Sequence, residues 1–132
     1  MDLEKVFKNI ILLDFVLFVL ILVTIFIEPE EITNIYDSLD GGILGDSDAF
    51  LFIALGFLIV YPINLILLYK FVSFGKALYL ILFILSIIMS FSMGPTIATA
   101  FAYTIDWLNG ATGGAILVLL YFSPIKDKFI KQ

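Results

Sequence analysis

Four runs of apolar residues, each near twenty long, divide this chain, and polar segments separate them. They cover about residues 10–27, 49–69, 77–93 and 105–122. A helix rising ~1.5 Å per residue crosses ~30 Å of hydrocarbon in ~20 such residues. Within the runs the apolar residues are consecutive rather than alternating, which argues against barrel strands. A segment in lipid finds no outside partner for its amides, so an open chain must cross as a helix. The pattern predicts an all-α fold, an integral membrane four-helix bundle forming a single transmembrane domain over residues 1–132.

The polar segments differ in sign. Lys5 and Lys8 precede the first run, Lys70 and Lys76 separate the second from the third, and Lys126, Lys128 and Lys131 follow the fourth. With four crossings these segments share one side. The positive-inside rule therefore predicts cytoplasmic N- and C-termini and a multi-pass protein of the cell (inner) membrane. The first run is too long for a signal-peptide core, and Glu28-Pro29-Glu30-Glu31 stands where small cleavage-site residues belong, so it is expected to be retained.

The opposite loop, residues 28–48, carries Glu28, Glu30, Glu31, Asp37, Asp40, Asp46 and Asp48 and no base. Inside it Ile32, Ile35, Tyr36 and Leu39 recur at helical spacing. Pro29 suits a helix start, the two glutamates its positive end, and Gly41-Gly42 its stop. A short amphipathic helix over residues 30–39 is expected in this outer loop, lying on the surface with its apolar face down. Asp46, Ser47 or Asp48 is expected to cap the second span. Gly94-Pro95 should end or kink the third. Residues 96–103 are expected as an interfacial helical turn or a tilted extension of the fourth, with Asp106 at the outer boundary and Trp107 in the aromatic belt.

Composition narrows the chemistry. Hydrophobic residues make up 62% of the 132, more than a soluble domain this small can hide. The sequence has no cysteine, histidine or arginine. Disulfides, thiol catalysis, iron–sulfur clusters, histidine-ligated haem and imidazole-bound zinc are thereby excluded, as is an arginine clamp for phosphate. No cofactor and no metal is expected. The stretch DSLDGGILGDSD has carboxylates and glycine turns, but its spacing is not that of an EF-hand loop, so it reads as a solvated acidic loop. The lysines are too sparse for nucleic acid and suit the lipid bilayer, where each contributes ~1 kcal/mol against anionic headgroups.

One acid interrupts the first run. Asp14 is six residues past Lys8, ~9 Å into the core on a helix. A carboxylate there costs ~2.5–3.5 kcal/mol unless it is neutral, paired or turned to the bundle interior. Asn64 lies equally far from Lys70, and Pro62 leaves the Leu58 carbonyl without its helical donor. Asp14, Asn64 and Pro62, with Tyr79 and Tyr121 near the same level, are expected to form one intramembrane polar pocket. The bland role of such a pocket is a packing hydrogen bond worth ~0.6 kcal/mol on average. The other is an ion or proton path, against which stands the apolar company of Asp14 on its own face: Ile11, Leu17, Phe18 and Ile21.

Gly110 and Gly114, with Ala111 and Ala115 beside them, make a small-residue face on the fourth span, and Ser86 and Ser90 a similar one on the third. These faces are expected to pack the third span on the fourth, or otherwise to meet another subunit. Asp106, Asn109 and Thr112, with Thr96 and Thr99, are expected as an outer polar cluster that caps helices or meets headgroups.

No nucleophile–base pair at diagnostic spacing is present, so the chain is not expected to be an enzyme. It reads as a noncatalytic accessory or assembly subunit, or a self-associating helical bundle, whose partners are other membrane subunits or copies of itself. The alternative is a small oligomeric transporter or channel, proton- or cation-linked, that uses the Asp14/Asn64 pocket. An intramembrane enzyme would need a carboxylate pair or a serine–lysine pair in one pocket, and counting residues puts Asp14 and Asp106 ~20 Å apart along the membrane normal.

Overall fold

The structure is a computed structural model that describes residues 2–39, 42 and 47–129. Five α-helices follow one another: α1 (Leu3–Ile27), α2 (Glu30–Asp37), α3 (Asp48–Tyr69), α4 (Ser73–Ser92) and α5 (Ala100–Phe122), then a short 3₁₀ helix over Pro124–Phe129. Four of them, α1, α3, α4 and α5, are long and apolar enough to cross a membrane. Their outward faces carry large exposed side chains such as Phe26, Phe52, Phe91 and Phe122, which suits lipid as the solvent.

Side-chain oxygens start three of these helices. Asp2 accepts from the Glu4 amide, Ser47 from the Phe50 amide and Thr99 from the Ala102 amide. Of the three candidates for the cap of α3, Ser47 does the work, and Asp46 lies outside the described residues. α4 stops at Ser92, just before Gly94-Pro95. Met93–Thr99 is not helical, and α5 begins at Ala100, more than a turn earlier than the apolar run suggested. The loop helix α2 ends at Asp37 with Ser38 as its C-cap. Gly42 pairs with Met93 across the loop. At φ 71°, a Cβ on Gly42 would strike the Gly94 nitrogen at 2.5 Å, so only glycine fits there.

The turn from α3 to α4 closes with a left-handed residue. The Val72 amide donates to the Leu67 carbonyl at 2.9 Å and the Phe71 amide to the Leu68 carbonyl at 3.0 Å. This pair of bonds is a Schellman cap, whose left-handed residue is usually glycine. Here it is Phe71, at φ 58°. Its ring explains the choice. It stacks on Phe7 at 5.8 Å and meets Phe129 edge-on at 5.3 Å, and Lys8 and Lys128 lie over it at 5.2 and 5.6 Å. Packing and cation–π attraction offset the ~1–2 kcal/mol cost of a side chain in that region.

The core is concentrated at this end. Phe7, Ile11, Leu65, Leu68, Ile116 and Leu120 are at most 2% exposed. Beneath them the 3₁₀ helix folds back across the bundle, burying Ile125 and Phe129. Ser73 donates to the Phe129 carbonyl, and Lys128 pairs with Glu4. The tail after Ser123, read from sequence only as a lysine-bearing flank, is therefore part of the core. The other half is looser. Among the described residues, none of α3 before Tyr61 and none of α4 after Leu82 is fully buried.

Candidate functional site

Asp14 is completely buried, halfway along α1. Its Oδ2 accepts a hydrogen bond from the Tyr61 hydroxyl of α3 at 2.5 Å. Its Oδ1 accepts from the Thr112 hydroxyl at 2.5 Å and from the Asn109 side-chain amide at 3.2 Å, both on α5. Tyr79 of α4 stands behind Tyr61, its hydroxyl a hydrogen-bond partner of the Tyr61 hydroxyl and the ring centroids 6.2 Å apart. One carboxyl thus ties three helices directly and reaches the fourth through a tyrosine. No ion pair among the described residues involves Asp14, so neutral donors alone answer it.

The partners differ from those expected. Asn64 is fully buried, but it serves α4. With its amide oriented to match its neighbours, it donates to the Gly75 carbonyl at 2.9 Å and accepts from the Tyr79 amide at 3.1 Å. Gly75 makes this approach possible, since a Cβ there would lie 2.9 Å from the Leu67 Cβ. Pro62 is half-buried inside α3, which continues past it to Tyr69. Tyr121 sits nearer the lysine end, where its hydroxyl donates to the Lys76 carbonyl at 3.1 Å and Lys76 Nζ lies over its ring at 4.5 Å. Of the four residues expected to join Asp14 in one pocket, only Tyr79 shares its network. Tyr61, which was not singled out from sequence, is its closest partner on α3, and Asn109 and Thr112 come from the group assigned to the outer boundary.

The depth count explains the difference. Counting from Lys8 assumed that its ammonium marks the edge of the bundle. Instead Lys8 Nζ turns back one turn to Glu4 Oε1 at 2.8 Å. Measured from Glu4, Asp14 is ten residues in, ~15 Å. The signal available in sequence was the midpoint of each helix: Asp14, Tyr61, Tyr79 and Thr112 all fall within four residues of it. Asp106 also moves closer. Asp14 meets both Asn109 and Thr112, whose midpoint lies between four and five residues from Asp106, so the axial separation is ~7 Å rather than ~20 Å. The two carboxyls share no hydrogen bond among the described residues, and Asp106 lies within electrostatic reach of Glu28 instead.

The small-residue faces part company too. Gly113, between the two expected glycines, makes the contact with α4, and a Cβ there would meet the Tyr79 hydroxyl at 3.4 Å and the Phe83 ring at 3.5 Å. Beyond their own helix, nothing described lies within 4 Å of a Cβ on Gly110 or Gly114. Ala111 is exposed and Ala115 half-buried. Ser86 and Ser90 donate to carbonyls of their own helix, at Phe83 and Ser86. No family model, curated protein or solved structure matches this chain.

Proposed function

We propose that this chain is a noncatalytic, multi-pass inner-membrane protein that acts by assembling with other membrane helices, either a larger subunit or copies of itself. The observation that carries the reading is the open face of α5. Gly110 and Gly114 are spaced for close backbone approach, yet α4 packs on Gly113 and leaves them uncovered. In lipid, helices associate through such faces by packing at short range rather than by hydrophobic expulsion. The Asp14 network supports the same reading from within, because it holds α1, α3 and α5 in one arrangement and presents that face on a defined scaffold. The lysine-bearing end faces the cytoplasm in this proposal, and α2 lies on the opposite surface.

The test is purification from the native membrane in mild detergent, with mass spectrometry of whatever accompanies the chain. A stoichiometric partner, or a discrete self-oligomer, is expected. Gly114→Leu should abolish that association and leave the monomer as stable as before, because the added side chain enters open space. A wild-type chain that runs as a lone monomer, or an association untouched by Gly114→Leu and Gly110→Leu together, refutes the proposal.

A further inference from the structure

The Asp14 cluster has one hydrogen with two places to go. The Thr112 hydroxyl lies 2.5 Å from Asp14 Oδ1 and 2.9 Å from the Asn109 carbonyl of its own helix. When the carboxyl is ionised, Thr112 donates to it, as do Tyr61 and Asn109. When a proton joins Oδ1, the carboxyl donates to the Thr112 oxygen, and the Thr112 hydrogen turns to the Asn109 carbonyl. Tyr61 keeps donating to Oδ2 in both states. Every hydrogen bond is replaced without moving a heavy atom, so neither state leaves a buried orphan. The same distances suit a proton and not a metal ion. Oxygens that each lie ~2.3–2.6 Å from a shared cation stand further apart than 2.5 Å.

The two ends of the bundle differ around Asp14. Toward the lysine end, Ile11, Leu65, Leu68, Ile116 and Leu120 close over Asp14 at 2% exposure or less, and Lys8 is turned away onto Glu4. Toward the other end, polar groups continue. Asn109 is half-buried, Asp106 follows one turn outward on α5, and Thr24 and Glu28 stand on the facing side of α1. Glu28 reaches across to accept from the Thr99 amide at 3.3 Å. Leu17 of α1, Leu82 of α4 and Ile105 of α5 narrow this route at 5–7% exposure, and beyond them α3 and α4 have no fully buried described residue. The titratable groups in contact with Asp14 are Tyr61 from α3 and, behind it, Tyr79 from α4, while Asp106 on α5 and Glu28 at the end of α1 stand further out beside each other.

We infer that Asp14 is a reversible proton-binding site that exchanges with water at the Glu28/Asp106 end of the bundle and is closed to the lysine end. A hydronium ion at that end gives its proton to the carboxylate, one O–H bond forms on Oδ1, and water is left behind. This inference is independent of the assembly proposal.

The experiment uses the full chain with isotope-labelled aspartate in oriented proteoliposomes, and follows the infrared C=O band of a protonated carboxyl while pH is changed on each side separately, between about pH 4 and about pH 9. The expected result is a band that rises on acidifying the Glu28/Asp106 side, ignores the lysine side, and is lost in Asp14→Asn. Asp106→Asn should slow its appearance after an acid jump. Thr112→Val keeps the carboxyl and removes its partner, so in that variant the band should shift in frequency, a readout that stands even if Asp14→Asn does not fold. Overturning results are the absence of a protonated-carboxyl band throughout, a band unmoved by Thr112→Val, or one that follows pH on the lysine side.

Discussion

Replacing Asp14 by alanine tests whether the carboxyl holds the bundle together. The substitution removes the acceptor of three hydrogen bonds. Thr112 loses least, because its hydrogen falls back on the Asn109 carbonyl at 2.9 Å. Tyr61 and the Asn109 amide both lose the carboxylate as acceptor and keep only neutral neighbours, Tyr61 the Tyr79 and Asn109 side chains and Asn109 the Tyr61 hydroxyl. Two buried donors stripped of their charged acceptor, at ~1–3 kcal/mol each, give at most ~2–6 kcal/mol. Three interhelical bonds at the ~0.6–1.7 kcal/mol measured in membranes give ~2–5 kcal/mol. The two routes agree on a loss of about 2–5 kcal/mol, a large share of the stability of a small domain. Cysteine is absent from the sequence, so Lys5→Cys and Asp127→Cys can carry a dye pair cleanly. Unfolding in mixed micelles is then followed by energy transfer between the α1 end and the 3₁₀ helix. Adding Tyr61→Phe and Asn109→Leu to Asp14→Ala should restore part of the loss, since removing both partners of a buried bond is nearly neutral while removing one is not. An Asp14→Ala chain within ~0.5 kcal/mol of the parent, or a triple variant worse than the single one, refutes the reasoning.

The same titration checks three further expectations. Gly75→Ala puts a Cβ 2.9 Å from the Leu67 Cβ and 3.3 Å from the Leu67 carbonyl carbon. It should destabilise by about 1–3 kcal/mol, less a helix-propensity gain of at most ~1 kcal/mol, and an increase in stability would contradict the close approach of α3 and α4. At Phe71, glycine should be less harmful than alanine by ~1 kcal/mol, because both lose the ring but only glycine relieves the φ of 58°; equal losses would show that the backbone there carries no cost. Phe129→Ala should cost about 3–5 kcal/mol as a buried aromatic, and a loss under ~1 kcal/mol would mean that the 3₁₀ helix is an ornament on the bundle rather than part of its core.

Much of the architecture was legible as text because lipid simplifies the problem. A run of some twenty apolar residues has one backbone solution in hydrocarbon, and the four runs became α1, α3, α4 and α5, whose C-terminal ends fall within a residue of the expected ones while their starts lie up to two turns earlier. The caps followed local chemistry, as at Ser47, where a side-chain oxygen meets an amide three residues on. The candidate site was legible only in part. Asp14 stood out because nothing else in its run is ionisable. Its partners did not, because depth was measured from Lys8, a long side chain that bends back to Glu4. The 3₁₀ helix was invisible for a related reason. Pro124-Ile125-Lys126 reads as a polar flank until Ile125 and Phe129 are seen buried under α1 and α5.

The sequence by itself determined that the chain makes four apolar helices, that its lysines gather at one end, and that an acid must be buried in the first span. Those are properties of each segment against its solvent, and they need no knowledge of neighbours. Tertiary structure alone decided which residues answer the acid and which glycine lies inside the bundle. Asn64 and Tyr61 sit three residues apart on α3, both buried, yet one turns to the backbone of α4 and the other to Asp14. Gly113 meets Tyr79 and Phe83 while Gly110 and Gly114 face outward. The physical reason is rotation. A helix places successive residues ~100° apart, so pairing is set by how each helix is turned against the next, and that angle is a property of the packed bundle.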